Sequence, residues 1–227
     1  MPQIRFRDVP EIVKGDFGER NFIETDGNIH CNLSIVSSNP TLQIQGCVVV
    51  LPASTRGDIV IYFGGSNSQV TFGENTRCSI VFRMWRESTV YIGKNTTSNG
   101  CRIIADNSDI FIGDDCMLSD EILIQSNDQH GLIDLDSGTI TNHERRPLII
   151  GSHVWVGRRA LIMANLTIGA GAVIGAGTTV ARDIAPFTYN VGNPAKLVRE
   201  RSSWTRDVAG PTAEETAFFK ANGFPLP

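Results

Sequence analysis

Six aliphatic residues, Ile150, Val156, Ile162, Ile168, Ile174 and Val180, follow one another at a spacing of six. Chance is a poor account of so long a run in phase, and neither a helical nor a simple alternating period produces it. Four residues after each of the first five come Val154, Ala160, Leu166, Ala172 and Thr178, all small or apolar. Each hexapeptide therefore reads as a short strand with two alternate side chains turned inward, followed by a turn. Gly151, Gly157, Gly169 and Gly175 come directly after the aliphatic residue and are expected to ease that turn. Three such steps make one triangular coil. Stacked coils pair their strands in parallel and bury a continuous aliphatic core, which no single coil achieves alone.

A second repeat lies upstream. NSQVTFGENT (67–76), ESTVYIGKNT (87–96) and NSDIFIGDDC (107–116) align without gaps at a period of 20 residues, with DIVIYFGG (58–65) as a less regular earlier copy. A 20-residue coil is the same object with two extra residues at a corner. The rhythm then breaks once. Ile112, Leu118 and Ile124 keep the six-residue spacing, but the next aliphatic in phase is Ile150, 26 positions on. That gap is one hexapeptide step plus 20 residues, so 125–147 is read as an insertion, and it carries His130 and His143. Residues 58–185 are expected to form the coils and 1–57 irregular first coils that cap the open end. Residues 186–227 form a C-terminal extension, in which Thr212 to Glu215 reads as a capping box opening a short helix that Gly223 stops. Phe218 and Phe219 are expected to pack that helix on the body or on a neighbouring subunit.

Composition agrees with a globular, turn-rich β protein: 41% apolar, 19% charged and 22 glycines. MPQIRFRDVP has no apolar core of a signal peptide, and no apolar run is long enough to span a membrane, so a soluble, cytoplasmic protein is expected. Five cysteines without a CxxC pair read as small buried side chains. The net charge of −4 is unevenly spread. Residues 145–201 hold eight basic and two acidic side chains, +6, leaving −10 elsewhere. A local basic surface on an acidic protein suits an anionic small ligand better than nucleic acid.

The Val-x-Ile-Gly-x-x hexapeptide resembles that of the hexapeptide-repeat transferases. The segment from Ile149 to Glu200, with its HVWVG and GNPAK markers, resembles the C-terminal half of their sugar O-acetyltransferases of the capsule, O-antigen and maltose/galactoside types. SNDQHGLIDLDSGTITN resembles the loop of the polysaccharide-modifying branch, where Ser-Asp-x-His and a downstream Asp are usual. Here the motif stands as Asn127-Asp128-Gln129-His130, with Ser126 one place earlier. The likeness covers about residues 58–200. It implies an all-β chain, a left-handed parallel β-helix with an inserted catalytic loop and a short C-terminal helix. The left hand comes from the resemblance alone, since the general crossover rule gives the right.

Acetyl transfer from a thioester to a hydroxyl needs a base, a donor to the tetrahedral oxyanion, and two aligned substrates. The resemblance implies acetyl-CoA as donor, a saccharide or polysaccharide precursor as acceptor, and a homotrimer with its sites between subunits. It makes His130 the base, its tautomer held by Asp128 or Asp134. It puts coenzyme A in a groove between coils lined by Gly157, Ala160, Ala176 and Gly177, with Trp155 at the cleft wall or the subunit boundary. Arg158, Arg159, Lys196 and Arg199 are the cations available to its phosphates. Asn99 and His153 are second-line acceptor contacts, although the corner position of His153 favours a solvent-facing ring. His143 reads as a solvated loop residue, and His30 carries no signal. The histidine intervals of 100, 13 and 10 contain no H-x4-H pair of the gamma carbonic anhydrases, so no metal is expected. Residues 1–57 are too short for the nucleotide-binding domain of a sugar nucleotidyltransferase. An N-acetyltransferase acting on an amino-sugar nucleotide and a non-enzymatic scaffold remain as alternatives, though an ice-binding scaffold would need Thr-x-Thr ladders that the chain lacks.

Overall fold

The computed structural model describes residues 1–39, 41–127, 129–142, 144–145 and 147–226. Parallel strands stack coil on coil around a triangular prism. The first face carries Asp109–Ile112, Leu148–Ile150 and Thr167–Ile168 in register, so that Ile112, Ile150 and Ile168 lie one above another. The second carries Met117–Leu118, Trp155–Val156 and Val173–Ile174, aligning Leu118, Val156 and Ile174. The third carries Ile122–Gln125, Leu161–Ile162 and Thr179–Val180, aligning Ile124, Ile162 and Val180. All nine aliphatics are buried, as are Val154, Ala160, Leu166, Ala172 and Thr178 beside them. The hexapeptide period thus acts through the core: each sixth residue is the inward knob of the next face. The strand ladders continue from Ile124 and Ile150 into the following coil, so the core runs on beneath the insertion.

In the earlier coils the second and third faces merge into single long strands such as Arg77–Trp85 and Thr97–Asp106, which bend together through a bulge at Ser98/Cys101. The stack begins with Gln3–Arg5 antiparallel to Phe22–Glu24 and ends with Lys196–Glu200 antiparallel to Thr188–Val191.

The glycines after the aliphatics do a different job from the one expected. The left-handed backbone falls two residues later, on Asn95, Asp115, His153 and Gly171 at the corner between faces one and two, with φ of 59°, 53°, 56° and 69°. The glycine itself is needed because the next coil stacks against it. A Cβ on Gly113 would lie 2.5 Å from the Ser152 nitrogen, and one on Gly157 2.7 Å from that of Ala176. The chain therefore wants a residue without Cβ at the first corner position and left-handed backbone at the third, where Asn, Asp and Gly are joined by His153.

The C-terminal helix Ala213–Ala221 opens with both halves of the Thr212/Glu215 capping box. It packs on the body through Phe218 and Phe219, whose rings lie 5.0 and 5.3 Å from that of His153. No helix of the described residues is long and apolar enough to cross a membrane.

Candidate functional site

A cleft of about 620 Å³ opens on the second face, along the corner it shares with the third. Val173, Ile174 and Trp155 contribute its floor, and Asp120, Gly157, Arg158, Gly175 and Ala176 its corner side. Tyr189, Ser202 and Ser203 border it and Asn99 lies at one end. Five expected residues thus converge here: Asn99, Trp155, Gly157, Arg158 and Ala176. The Trp155 ring is 36% exposed and is held by its Nε1–H donating to Ser119 Oγ at 3.1 Å. The Arg158 guanidinium is solvent-exposed and stands 3.9 Å from Asp120, a loose pairing that leaves it able to meet an anion.

Other expectations divide. Gly177 sits on the same corner, exposed and at φ +68°, with its N–H donating to the Arg158 carbonyl. Ala160 does not line the cleft. Its side chain is in the core, its N–H donates to Gly157 and its carbonyl accepts from Leu123. The reason is phase, because it is the small inward residue of its hexapeptide. Arg159 forks onto Glu121 and is charge-compensated there. Lys196 and Arg199 lie on Lys196–Glu200, whose residues are all exposed and outside the cleft lining.

His153 overturns its expectation most clearly. It is at the corner, but its ring is buried at 1% exposure, covered by the C-terminal segment, and does not reach the cleft. Nδ1 lies 2.8 Å from Asp115 Oδ2, and Nε2 lies 3.0 Å from the Trp204 carbonyl. Both ring nitrogens therefore have a partner, a carboxylate on one side and a main-chain carbonyl on the other, which fixes the plane of the ring. Asp115, His153 and Glu215 bring one ligand atom each within 4.8 Å. Those atoms already have partners, however: Arg206 and His153 on Asp115, and Thr205, Thr212 and Arg206 on Glu215. The group reads as an ion-pair lock. Burial pushes the Asp115 and Glu215 carboxyls up, yet these hydrogen bonds outweigh it and hold both below the usual range.

The insertion leaves from the opposite edge of the third face, at its corner with the first. Its roots are fixed by Asn127 Nδ2 donating to the Asp106 carbonyl at 3.2 Å and by a bidentate Arg145–Asp109 pair at 2.6 and 3.0 Å. Beyond the roots, Thr141 N–H donates to Leu132 and Ile133 bridges Ile140, forming a small hairpin. His130 stands at its base, where its carbonyl accepts from Asn142 Nδ2 at 2.8 Å. The side chain is exposed, and the described residues give its ring no hydrogen-bond partner. Asp134 does not orient it: Oδ1 caps its own turn, accepting from the N–H groups of Asp136 and Ser137 and from the Ser137 hydroxyl. Those bonds hold its carboxyl below the usual range. Asp128 and His143 lie outside the described residues. Among the described residues, none of the insertion lines the cleft beside Trp155.

The cysteines offer no nucleophile. Burial pushes the thiols of Cys78 and Cys116 up to about 12 and that of Cys47 to about 11.

Sequence reading missed Ser119, Asp120, Tyr189, Ser202 and Ser203 at the cleft, and Asp115, Trp204, Arg206 and Glu215 at the lock. Two were within reach of the repeat. Asp120 stands two places after Leu118, as Arg158 does after Val156; Asp115 stands three after Ile112, as His153 does after Ile150. The C-terminal residues carry no such phase.

Stacked hexapeptides, in-register parallel faces and a corner insertion define the fold: a left-handed parallel β-helix. Residues 147–182 match the family described as bacterial transferase hexapeptide (six repeats). Among individual proteins, the chain is 32% identical over 120 residues to the polysialic acid O-acetyltransferase of Escherichia coli O1:K1 / APEC, covering 52% of this chain and 39% of that one. It is 30% identical over 138 residues to the galactoside O-acetyltransferase of Escherichia coli (strain K12), covering 57% and 63%. The chain thus spans less than two thirds of either relative. The crystal structure of the polySia-specific acetyltransferase NeuO superposes with a TM-score of 0.75 at 23% identity, over 94% of this chain and 98% of that one, and so shares the fold.

Proposed function

We propose that the protein is an acyltransferase that moves an acetyl group from acetyl-CoA to a hydroxyl of a saccharide or polysaccharide precursor. The observation that carries this reading is the cleft, where Trp155, Gly157, Arg158, Ala176 and Asn99 converge. The small side chain of exposed Ala176 leaves room along the corner for an extended, flexible donor, and Arg158 offers a cation to its phosphates. Two relatives, matching over 120 and 138 residues, are named O-acetyltransferases, of polysialic acid and of galactosides.

His130 is the general base of this reading. Its ring takes the acceptor hydroxyl proton as the oxygen attacks the thioester carbonyl. The tetrahedral oxyanion collapses, the C–S bond breaks, and the proton passes from His130 to the departing thiolate. Cleft and insertion flank opposite edges of the third face, so one chain does not bring them together. A three-fold assembly with that face inward sets the insertion of one copy beside the cleft of the next. Two features support it. The hairpin carries exposed Leu132, Ile133 and Leu135. The third face turns the row Val81, Arg102, Leu123 and Leu161 outward in strict register, and three of its four members are apolar.

Purified protein offered acetyl-CoA and a panel of hydroxyl and amino saccharides tests the reading. O-acetylation of at least one acceptor with thiol release is the expected result. Amine-only acetylation would make it an N-acetyltransferase, and failure to bind CoA by calorimetry would remove the enzyme reading.

A further inference from the structure

The C-terminal segment does not merely end the chain. It climbs back along the corner between the first and second faces, one rung at a time. Ser202 N–H donates to the Phe187 carbonyl at 2.9 Å and Ser203 Oγ to that of Gly171 at 2.8 Å. Trp204 stacks on His153 at 4.5 Å and 11°, and donates Nε1–H to its carbonyl at 2.9 Å. Arg206 donates to Asp115 Oδ1 at 2.9 Å and to the Asn95 carbonyl at 3.2 Å. Phe187, Gly171, His153, Asp115 and Asn95 occupy the same left-handed corner position in five successive coils.

The strap is also thin. On one side of Ser202 and Ser203 lies the cleft. On the other lies a second cavity of about 340 Å³, lined by Phe187, Trp204, Phe219 and Phe224. Neither cavity packs the strap from behind, so its position depends on the rungs. The tightest is the lock. Arg206 reaches Asp115, Thr97, Asn95 and Cys116 at once, and the His153 ring bridges Asp115 to the Trp204 carbonyl.

We infer that residues 202–206 are a latched wall of the donor cleft, and that Arg206, Asp115 and His153 are positioning residues that set donor affinity without touching the reacting atoms. The inference rests on the donor reading of the cleft. With the latch released, Ser202 and Ser203 leave the cleft edge, the two cavities merge, and a bound donor loses one side of its enclosure.

The test uses the full-length protein, CoA calorimetry, steady-state kinetics and amide hydrogen exchange. Arg206→Gln is expected to expose the 202–206 amides and to raise the CoA Kd and acetyl-CoA KM about tenfold, the scale of a wall populated a tenth of the time. Acceptor KM and kcat should stay within about twofold, whereas a purely structural defect would lower kcat through loss of active protein. Arg206→Lys keeps the charge beside Asp115 but not the fork, and should recover part of the affinity. Ser202→Trp, which fills the cleft edge and leaves the latch intact, should block CoA with an unchanged melting midpoint. Unchanged Kd in an Arg206→Gln protein with freely exchanging strap amides would overturn the wall, and so would full CoA binding by Ser202→Trp. Undiminished protection of those amides in Arg206→Gln would overturn the latch. A wild-type protein that binds no CoA would instead remove the functional reading, a result visible before any variant is made.

Discussion

Two histidines at comparable places in the chain meet opposite fates. His130 stands exposed at the base of a hairpin; His153 is sealed between Asp115 and Trp204. Replacing His130 with Ala should lower turnover by about 10²–10⁴-fold, the usual share of a positioned base, while CoA calorimetry stays unchanged. Near-wild-type turnover would sink the mechanism. The sealed pair predicts a pH dependence. Asp115 and Glu215 have carboxyls held below their unfolded values, so each favours the folded state while ionised. That stabilisation is present in full above about pH 5, beyond the unfolded values of both carboxyls, and is lost as pH falls through the folded values. Acidification below about pH 4 should therefore undock the C-terminal helix before the coils melt. Tryptophan fluorescence of a Trp85→Phe, Trp155→Phe protein, in which Trp204 is the remaining tryptophan, should change at a higher pH than the β signal in circular dichroism. A single coincident transition would contradict it.

The elements divide by how they are held. Each coil strand is only two to four residues long in the hexapeptide region, so its stability comes from stacking rather than from local propensity. Ile162→Ala, between Ile124 and Val180 in the third-face ladder, should cost about 2–5 kcal/mol in chemical denaturation. The C-terminal helix has a local device instead. Thr212→Ala removes the capping box and should cost about 1 kcal/mol, read as lost amide protection in 213–221 with the coils unaffected. The insertion was legible as a count: 20 residues beyond one hexapeptide predict that the ladder resumes in register, and it does. The antiparallel strand Lys196–Glu200 was not legible. Its apolar residues, Leu197 and Val198, are exposed and carry no core phase.

At the scale of the molecule, the prism separates the functional groups by corner. The cleft, the insertion and the lock occupy three different edges. The proposed trimer predicts that Leu123→Asp with Leu161→Asp, on the outward row of the third face, gives a monomer by sedimentation with native circular dichroism and little activity. An active monomer would place the whole site within one chain.

The sequence by itself determined the coil, because a six-residue period is the geometry of the core written once per face. It also determined where the period is interrupted, whereas the grouping of Trp155, Gly157, Arg158 and Ala176 in one groove came from the resemblance of the repeat to a known family. What only the tertiary structure decided lies off that period. Ala160 was placed on the groove although its phase points inward, and His153 was read as open to solvent although a strap 50 residues further on covers it. Burial at a corner depends on what returns to pack there. A segment without repeat leaves no periodic trace of its destination, which is set by side-chain partners such as Arg206 with Asp115, 91 positions apart.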